Sequence, residues 1–218
     1  MHTHSRHSPD SRLDPKDMIR RARQLGLDGL AITDHNSILG ATEALDYARV
    51  YPGLTVIRAV EVSSSQGHIL GYGVKEIIPR NLTPTETVER IVAQGGVAVA
   101  AHPYRFWSGL GETVTLSTNF AIYEVQNART SRRGNARATA LAVKGGKGMI
   151  GGSDGHFIEE IGGAVTVFKE RLNKEDDVLQ ALEKQTTVAE GHHRGMKATL
   201  RYVPKCVGEW MTRGFKRI

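Results

Sequence analysis

Histidines and carboxylates recur along this 218-residue chain in short motifs suited to holding metal ions. His2 and His4 form a His-x-His pair, and in an extended segment alternate side chains share one side, so both imidazoles can reach one ion. Asp154 and His156 repeat that spacing in Gly152-Ser153-Asp154-Gly155-His156 with a carboxylate and an imidazole. His35 lies in Thr33-Asp34-His35-Asn36, His102 in Ala101-His102-Pro103-Tyr104-Arg105, and Glu61 ends the apolar run 56–60. His68 begins a further apolar run and reads either as a ligand or as a satisfied core histidine. Neutral imidazoles and carboxylates suit borderline divalent ions such as Zn²⁺, Mn²⁺ and Fe²⁺. Six histidines and three acids, with Asp10 the third, exceed what one tetrahedral ion needs. Two or three ions are therefore expected, bridged by an acid such as Glu61, and sites of this kind commonly hydrolyse phosphate esters.

Such a site needs a scaffold that gathers distant residues. β-like runs fall at 30–33, 55–60, 68–72, 97–101, 121–125, 148–151 and 164–167. Most are apolar throughout, as in strands buried on both faces of a parallel sheet. Helical segments lie between many of them. Asp14-Pro15 supplies an N-cap and an N1 proline, with Gly26 past the last turn. Thr83-Pro84-Thr85-Glu86 spells a capping box, and 132–144 and 173–184 are two further helices. The β-α alternation predicts an α/β barrel or doubly wound sheet. In a barrel the strand C-terminal ends converge on one face, where His35, Glu61, His102 and His156 would meet. Neither repeats nor a linker interrupt the pattern, so residues 1–218 are expected to form one domain.

The motifs His2-Thr3-His4-Ser5, Ser8-Pro9-Asp10-Ser11, Thr33-Asp34-His35-Asn36, Glu61, Ala101-His102-Pro103 and Gly152-Ser153-Asp154-Gly155-His156 resemble the PHP (polymerase and histidinol phosphatase) family, in the expected order and over roughly residues 2–190. The resemblance implies a distorted seven-stranded (β/α)₇ TIM-like barrel with a trinuclear centre. His2, His4, Glu61 and Asp154 would hold the first ion, Glu61, His68 and His102 the second, and Asp10, His35 and His156 the third. Asp34 would stand behind them, orienting a ligand histidine. Family members carry a short apolar strand before His-x-His, whereas only Met1 precedes it here, so the first strand is expected to be shortened or to begin upstream. The implied activity is metal-dependent hydrolysis of a phosphate ester by a metal-bound hydroxide. A small phosphomonoester or nucleotide is the favoured substrate, since the loops are short and no nucleic-acid-binding module is present. Asp10, His35, Asp154 or His156 would move a proton to the leaving group. Exonuclease-type cleavage of nucleic acid and a non-catalytic metal-binding regulatory module are the alternatives.

Phosphate also calls for charge-assisted donors. Arg105, three residues past His102, is the leading candidate, while Arg129, Arg132 and Arg133 are further candidates that precede a solvated helix and read more readily as exposed. His7, His192 and His193 are not expected to be ligands. Apolar residues make up 39% and charged residues 24% of the chain, which excludes wholesale disorder. A lone cysteine, Cys206, excludes a disulfide framework or a cysteine-rich zinc fold. No apolar stretch is long enough for a membrane span or leader, so a cytoplasmic setting is expected. The net charge of +6 resides in residues 192–218, where seven basic side chains face one acid. That stretch is expected to close the fold, with Trp210 and Phe215 packed on the barrel, and contact with nucleic acid is the lesser expectation.

Overall fold

The structure is a computed structural model that describes residues 1–51 and 53–193 together with Gly208 and Met211. The expected closing segment therefore lies outside the described residues from position 194 onward, those two excepted. In chain order the elements are α1 (Pro15–Gln24), β1 (Gly29–Ile32), α2 (Leu39–Ala48), β2 (Thr55–Ser64), β3 (Gly67–Tyr72), α3 (Pro84–Ala93), β4 (Val97–Ala100), α4 (Gly111–Ser117), β5 (Ile122–Asn127), α5 (Arg132–Gly145), β6 (Gly148–Gly152), β7 (Ala164–Phe168), α6 (Glu175–Glu183) and β8 (Thr187–Gly191). A single 3₁₀ turn, Ile158–Glu160, precedes β7.

The helices start where local chemistry favours it. The Asp14 carboxylate accepts from the Lys16 N–H at 2.9 Å and Pro15 opens α1. Thr83 and Glu86 make the reciprocal capping box of α3, and the Ser131 hydroxyl accepts from the Gly134 N–H at α5. By contrast α2 and α4, which the helix signals do not predict, begin at Ile38 and Leu110 with no side-chain cap.

Strands β1 to β6 form one curled sheet in sequence order, and β7 and β8 pair separately. Pairing is parallel for β1–β2, β4–β5 and β5–β6, but β3 runs antiparallel to both β2 and β4. The expected all-parallel sheet is corrected here: Ser65 and Gln66 alone join β2 to β3, and a parallel crossover needs a dozen residues or more. Side chains alternate across β2, so Ile57 and Ala59 share one face with Leu70, Tyr72, Val99 and Ile122, plugged by Val178 and Leu182 of α6. Val60 and Val62 face the other way, against Val88 and Ile91 of α3 and Ala138 and Leu141 of α5. The outer face of β1 packs Leu30 and Ile32 on Met18, Ile19 and Ala22 of α1 and on Ala41 and Ala44 of α2. Burial on both faces explains why the strands read as unbroken apolar runs.

Where seven strands were expected in a ring, the main sheet of the described residues has six strands plus a short extended segment, residues 2–4. Thr3 stands between β1 and the end of β6: its carbonyl accepts from the Thr33 N–H at 2.8 Å, and the His4 N–H donates to the Gly155 carbonyl at 2.9 Å. The gap beneath is a cavity of about 530 Å³ lined by Leu30, Ile57, Val165, Phe168 and Val178 among others, and none of the nine expected ligands lines it. Among the described residues no helix is long and apolar enough to cross a membrane.

A clamp behind residues 2–5 holds them in place. The Asp34 carboxylate accepts from the Ser5 N–H at 2.5 Å and from the Ser5 hydroxyl at 2.6 Å. Gly40, in the first turn of α2, lets that pair approach: a Cβ there would lie 2.0 Å from Asp34 Oδ2 and 2.3 Å from Ser5 Oγ. Gly40→Ala is expected to cost about 1–3 kcal/mol in urea denaturation, as overpacking does. Wild-type stability in that variant would refute the clamp.

Candidate metal centre

Glu61 is the centre of the site. It lies within β2 rather than at its end, because β1 stops at Ile32 while β2 runs on and meets the loop beyond through a bridge between His35 and Glu61. Its side chain is buried, and five imidazoles surround the carboxylate. Oε1 is 2.8 Å from His68 Nδ1 and 2.9 Å from His102 Nε2. Oε2 is 3.1 Å from His2 Nε2, 3.2 Å from His4 Nε2 and 3.4 Å from His35 Nδ1. The five rings contact one another in a closed circuit, His2–His4–His35–His68–His102, with centroids 4.7 to 5.6 Å apart. Burial alone would raise the Glu61 pKa, but the imidazoles outweigh it and hold the group well below the usual carboxylate range.

His156 extends the circuit, 4.2 Å from the His4 ring, and its Nε2 meets Asp10 Oδ2 at 2.7 Å. The same oxygen lies 3.5 Å from His35 Nε2. Burial and the neighbouring Arg129 cation push the His156 pKa down to about 3, so its imidazole is neutral at physiological pH. Burial likewise takes His68 down to about 4. Asp154 divides its two oxygens. Oδ2 accepts from Arg105 Nη1 and from Asn127 Nδ2 at 3.2 Å. Oδ1 faces His4 Nε2 and His156 Nδ1, each 3.6 Å away, with Arg129 Nη1 at the same distance.

All nine expected ligands thus converge, eight of them buried and His68 half-buried. They fall into overlapping groups whose ligand atoms lie within 4.8 Å of one another: His4, Asp10, His35 and His156; His2, His4 and Asp154; His35, Glu61 and His68; and His2, His102 and Glu124. The donor set fits divalent metal ions. Buried His4 Nε2, His35 Nδ1 and His102 Nδ1 make no hydrogen bond, although a buried polar nitrogen needs a partner.

Glu124 escapes the motif reading. It is fully buried within β5, where its carboxylate holds His2 Nδ1 at 3.0 Å, the His102 N–H at 2.9 Å and Asn127 Nδ2 at 3.1 Å. The signal available in the sequence was an acid inside the apolar run Ile122-Tyr123-Glu124-Val125. Asp34 was expected to orient a ligand histidine, and its carboxylate grips Ser5 and so braces the backbone that carries His4. Of the arginines, Arg105 and Arg129 reach the site, through Asp154 and through Asp154 and His156 respectively. Arg132 and Arg133 are exposed on the first turn of α5 and do not join it. His7 pairs with Glu43 at 2.7 Å, and His192 and His193 lie just past β8, outside the cluster.

Two ligand candidates sit on left-handed backbone, His102 with φ 29° and Asp154 with φ 49°. Each such residue costs about 1–3 kcal/mol, which the surrounding packing must offset. In the presence of chelator, His102→Gly is therefore expected to be more stable than His102→Ala by about 1 kcal/mol in urea denaturation. Equal stability would contradict the strain. Protonation gives a second prediction. Burial disfavours charge on His4, but Asp154, Glu61 and Asp10 outweigh it and raise its pKa to about 9. Metal needs the neutral ring, so uptake at pH 7.5 should release protons and affinity should rise toward pH 9. Calorimetry in buffers of different ionisation enthalpy measures that release, and none at all would overturn the assignment of His4.

A family model described as PHP-associated matches residues 132–187. The chain is 32% identical to the uncharacterized Methanocaldococcus jannaschii protein MJ0417 over 187 residues, 82% of this chain and 73% of that protein. It is 36% identical to the uncharacterized MJ1587 of the same organism over 114 residues, 48% of this chain and 66%, just under two thirds, of that protein. The fold is similar to a two-domain Bacteroides vulgatus protein containing a predicted PHP-like metal-dependent phosphoesterase, with TM-score 0.73 at 19% identity, covering 94% of this chain and 68% of that one. It is also similar to the lesion-specific endonuclease EndoQ of Pyrococcus furiosus, with TM-score 0.61 at 14% identity, covering 84% and 55%. The matched family model, the motifs and the fold agree: the chain belongs to the PHP family.

Proposed function

We propose that the chain is a metal-dependent phosphoesterase that hydrolyses a small phosphate monoester at the Glu61 centre. The observation that carries this reading is the closed circuit of five imidazoles around one buried carboxylate, with three ring nitrogens left unbonded. His2, His4, Glu61 and Asp154 would hold one ion, Glu61, His68 and His102 a second, and Asp10, His35 and His156 a third. Divalent ions there supply Lewis-acid polarisation of a phosphoryl group and neutralise its charge.

The chain's own residues do the rest. Glu61 ties the two sides of the centre together through its separate oxygens. Low pKa values keep Asp10 and Asp154 charged and His156 neutral, which suits them as ligands rather than as proton carriers. His35, between Asp10 and Glu61, would complete the ligand set of the third ion. Arg105, partly open to solvent, is placed to leave Asp154 Oδ2 for a phosphate oxygen, and Arg129 adds fixed positive charge from a buried position. Cleavage of phosphodiesters in nucleic acid is the second reading, supported by the fold shared with the P. furiosus endonuclease.

Metal analysis with assays on p-nitrophenyl phosphate and bis(p-nitrophenyl) phosphate in Mn²⁺ tests both. The monoester is expected to be cleaved faster. Losing an outer partner of a metal ligand costs about 10–100-fold, so His102→Ala should lose at least ~100-fold in rate together with bound metal. Cleavage of the diester alone would favour the second reading. No cleavage of either ester or of a nucleotide panel by metal-loaded protein would sink both.

A further inference from the structure

Exposed apolar side chains such as Leu39, Val92 and Val143 stand singly on helices. Phe106 and Trp107 differ. They are adjacent, 85% and 76% exposed, and packed edge to face with ring centroids 4.7 Å apart. That arrangement covers the edge of one ring and one face of the other, and at this exposure the remaining π-faces are open. Nothing in the centre described above uses them.

Their position is what gives them meaning. They form the tip of a loop that leaves the metal centre and returns to it. At one foot the Arg105 N–H donates to the His102 carbonyl at 2.9 Å, and at the other the His68 N–H donates to the Ser108 carbonyl at 3.0 Å. The neck is closed by the Gly109 N–H on the Arg105 carbonyl at 3.0 Å and the Gly111 N–H on the Pro103 carbonyl at 2.9 Å. Gly109 is required there, since a Cβ would lie 2.5 to 2.7 Å from Pro103 O, Arg105 O and Arg105 N. The two rings are thus held at the rim between His68 and His102, directly after Arg105, whose guanidinium reaches the Asp154 carboxylate.

We propose that Phe106 and Trp107 are a stacking platform for a nucleobase, so that the phosphate ester taken by this centre is a nucleotide. The proposal rests on the phosphoesterase reading and narrows its substrate class. Three consecutive residues then offer a phosphate donor and two aromatic faces, the two ends of a nucleoside phosphate. Base–aromatic stacking is tolerant of sequence because every base has a π-face. A second copy of the chain is a poorer occupant: two side chains fall far short of the roughly 800 Å² per partner that a stable protein interface needs.

The test compares full-length wild type with Phe106→Ser/Trp107→Ser on adenosine 5′-monophosphate and on ribose 5-phosphate, which lacks only the base. Wild type should prefer the nucleotide. In the double variant the ratio of kcat/KM for nucleotide over sugar phosphate should fall roughly 5- to 150-fold, the range expected for one stacked base. An unchanged ratio would overturn the platform. Tryptophan fluorescence gives a readout that does not need turnover: adenosine 5′-monophosphate should quench wild type but not Trp107→Phe, which retains Trp210. Quenching without hydrolysis of any ester would leave the platform standing and remove the phosphoesterase reading. Hydrolysis of ribose 5-phosphate without quenching would do the reverse. Concentration-dependent dimerisation lost in the double variant, with no nucleotide quenching, would assign the aromatics to self-association and overturn the proposal.

Discussion

A buried carboxylate surrounded by imidazoles is the constraint on which the rest of this structure depends. An isolated ionised carboxylate cannot be taken out of water without compensation, and Glu61 is buried in the middle of a strand. Five histidines from four separate stretches of chain supply that compensation. None could move away without leaving either the carboxylate or a neighbouring ring unsatisfied. Removing one partner of such a network typically costs far more than the pair contributes, because a desolvated charge remains. The scaffold is accordingly built to bring the five rings to one point.

That purpose explains features that ordinary packing does not. β2 runs past the end of β1 so that Glu61 faces the loop carrying His35. β3 turns straight back from β2, which sets His68 opposite Ser63 and within reach of Glu61. His102 and Asp154 adopt left-handed backbone immediately after β4 and β6, turning their side chains toward the centre. Behind the ligands, Glu124, Asp34 and Asn127 fix ring and backbone positions through buried hydrogen bonds. Outer partners of this kind orient metal ligands and fix their ring positions.

Much of this was legible in the sequence because strand ends and helix caps are local. Largely apolar runs marked seven of the eight strands among the described residues, and Asp14, Thr83 and Ser131 sit where helices start. The residues that converge on Glu61 were legible through their motifs and the family resemblance, and for His35, His102 and His156 through their place after strand ends as well. What escaped depends on tertiary context. α2 and α4 have no side-chain caps, and β8 is mostly open to solvent, so neither kind of local signal was available. Glu124 belongs to no motif, and only its burial beside His2 and His102 reveals its part. Sheet closure was not legible either, because it is set by how residues 2–4 bridge β1 and the end of β6 rather than by any run of residues.

The long sequence distances between partners in the centre bear on how the protein reaches its native state. His156 meets Asp10 across 146 positions, His2 meets Glu124 across 122, and His102 meets Glu61 across 41. Contacts this distant require most loop-closure entropy to be lost before they form, so the circuit is completed late in folding. A cation that binds the assembled circuit more tightly than the unfolded chain couples occupancy of the centre to the native population by mass action. The ring of histidines thus serves as a thermodynamic check on assembly, complete only when strands from both ends of the chain have found their places.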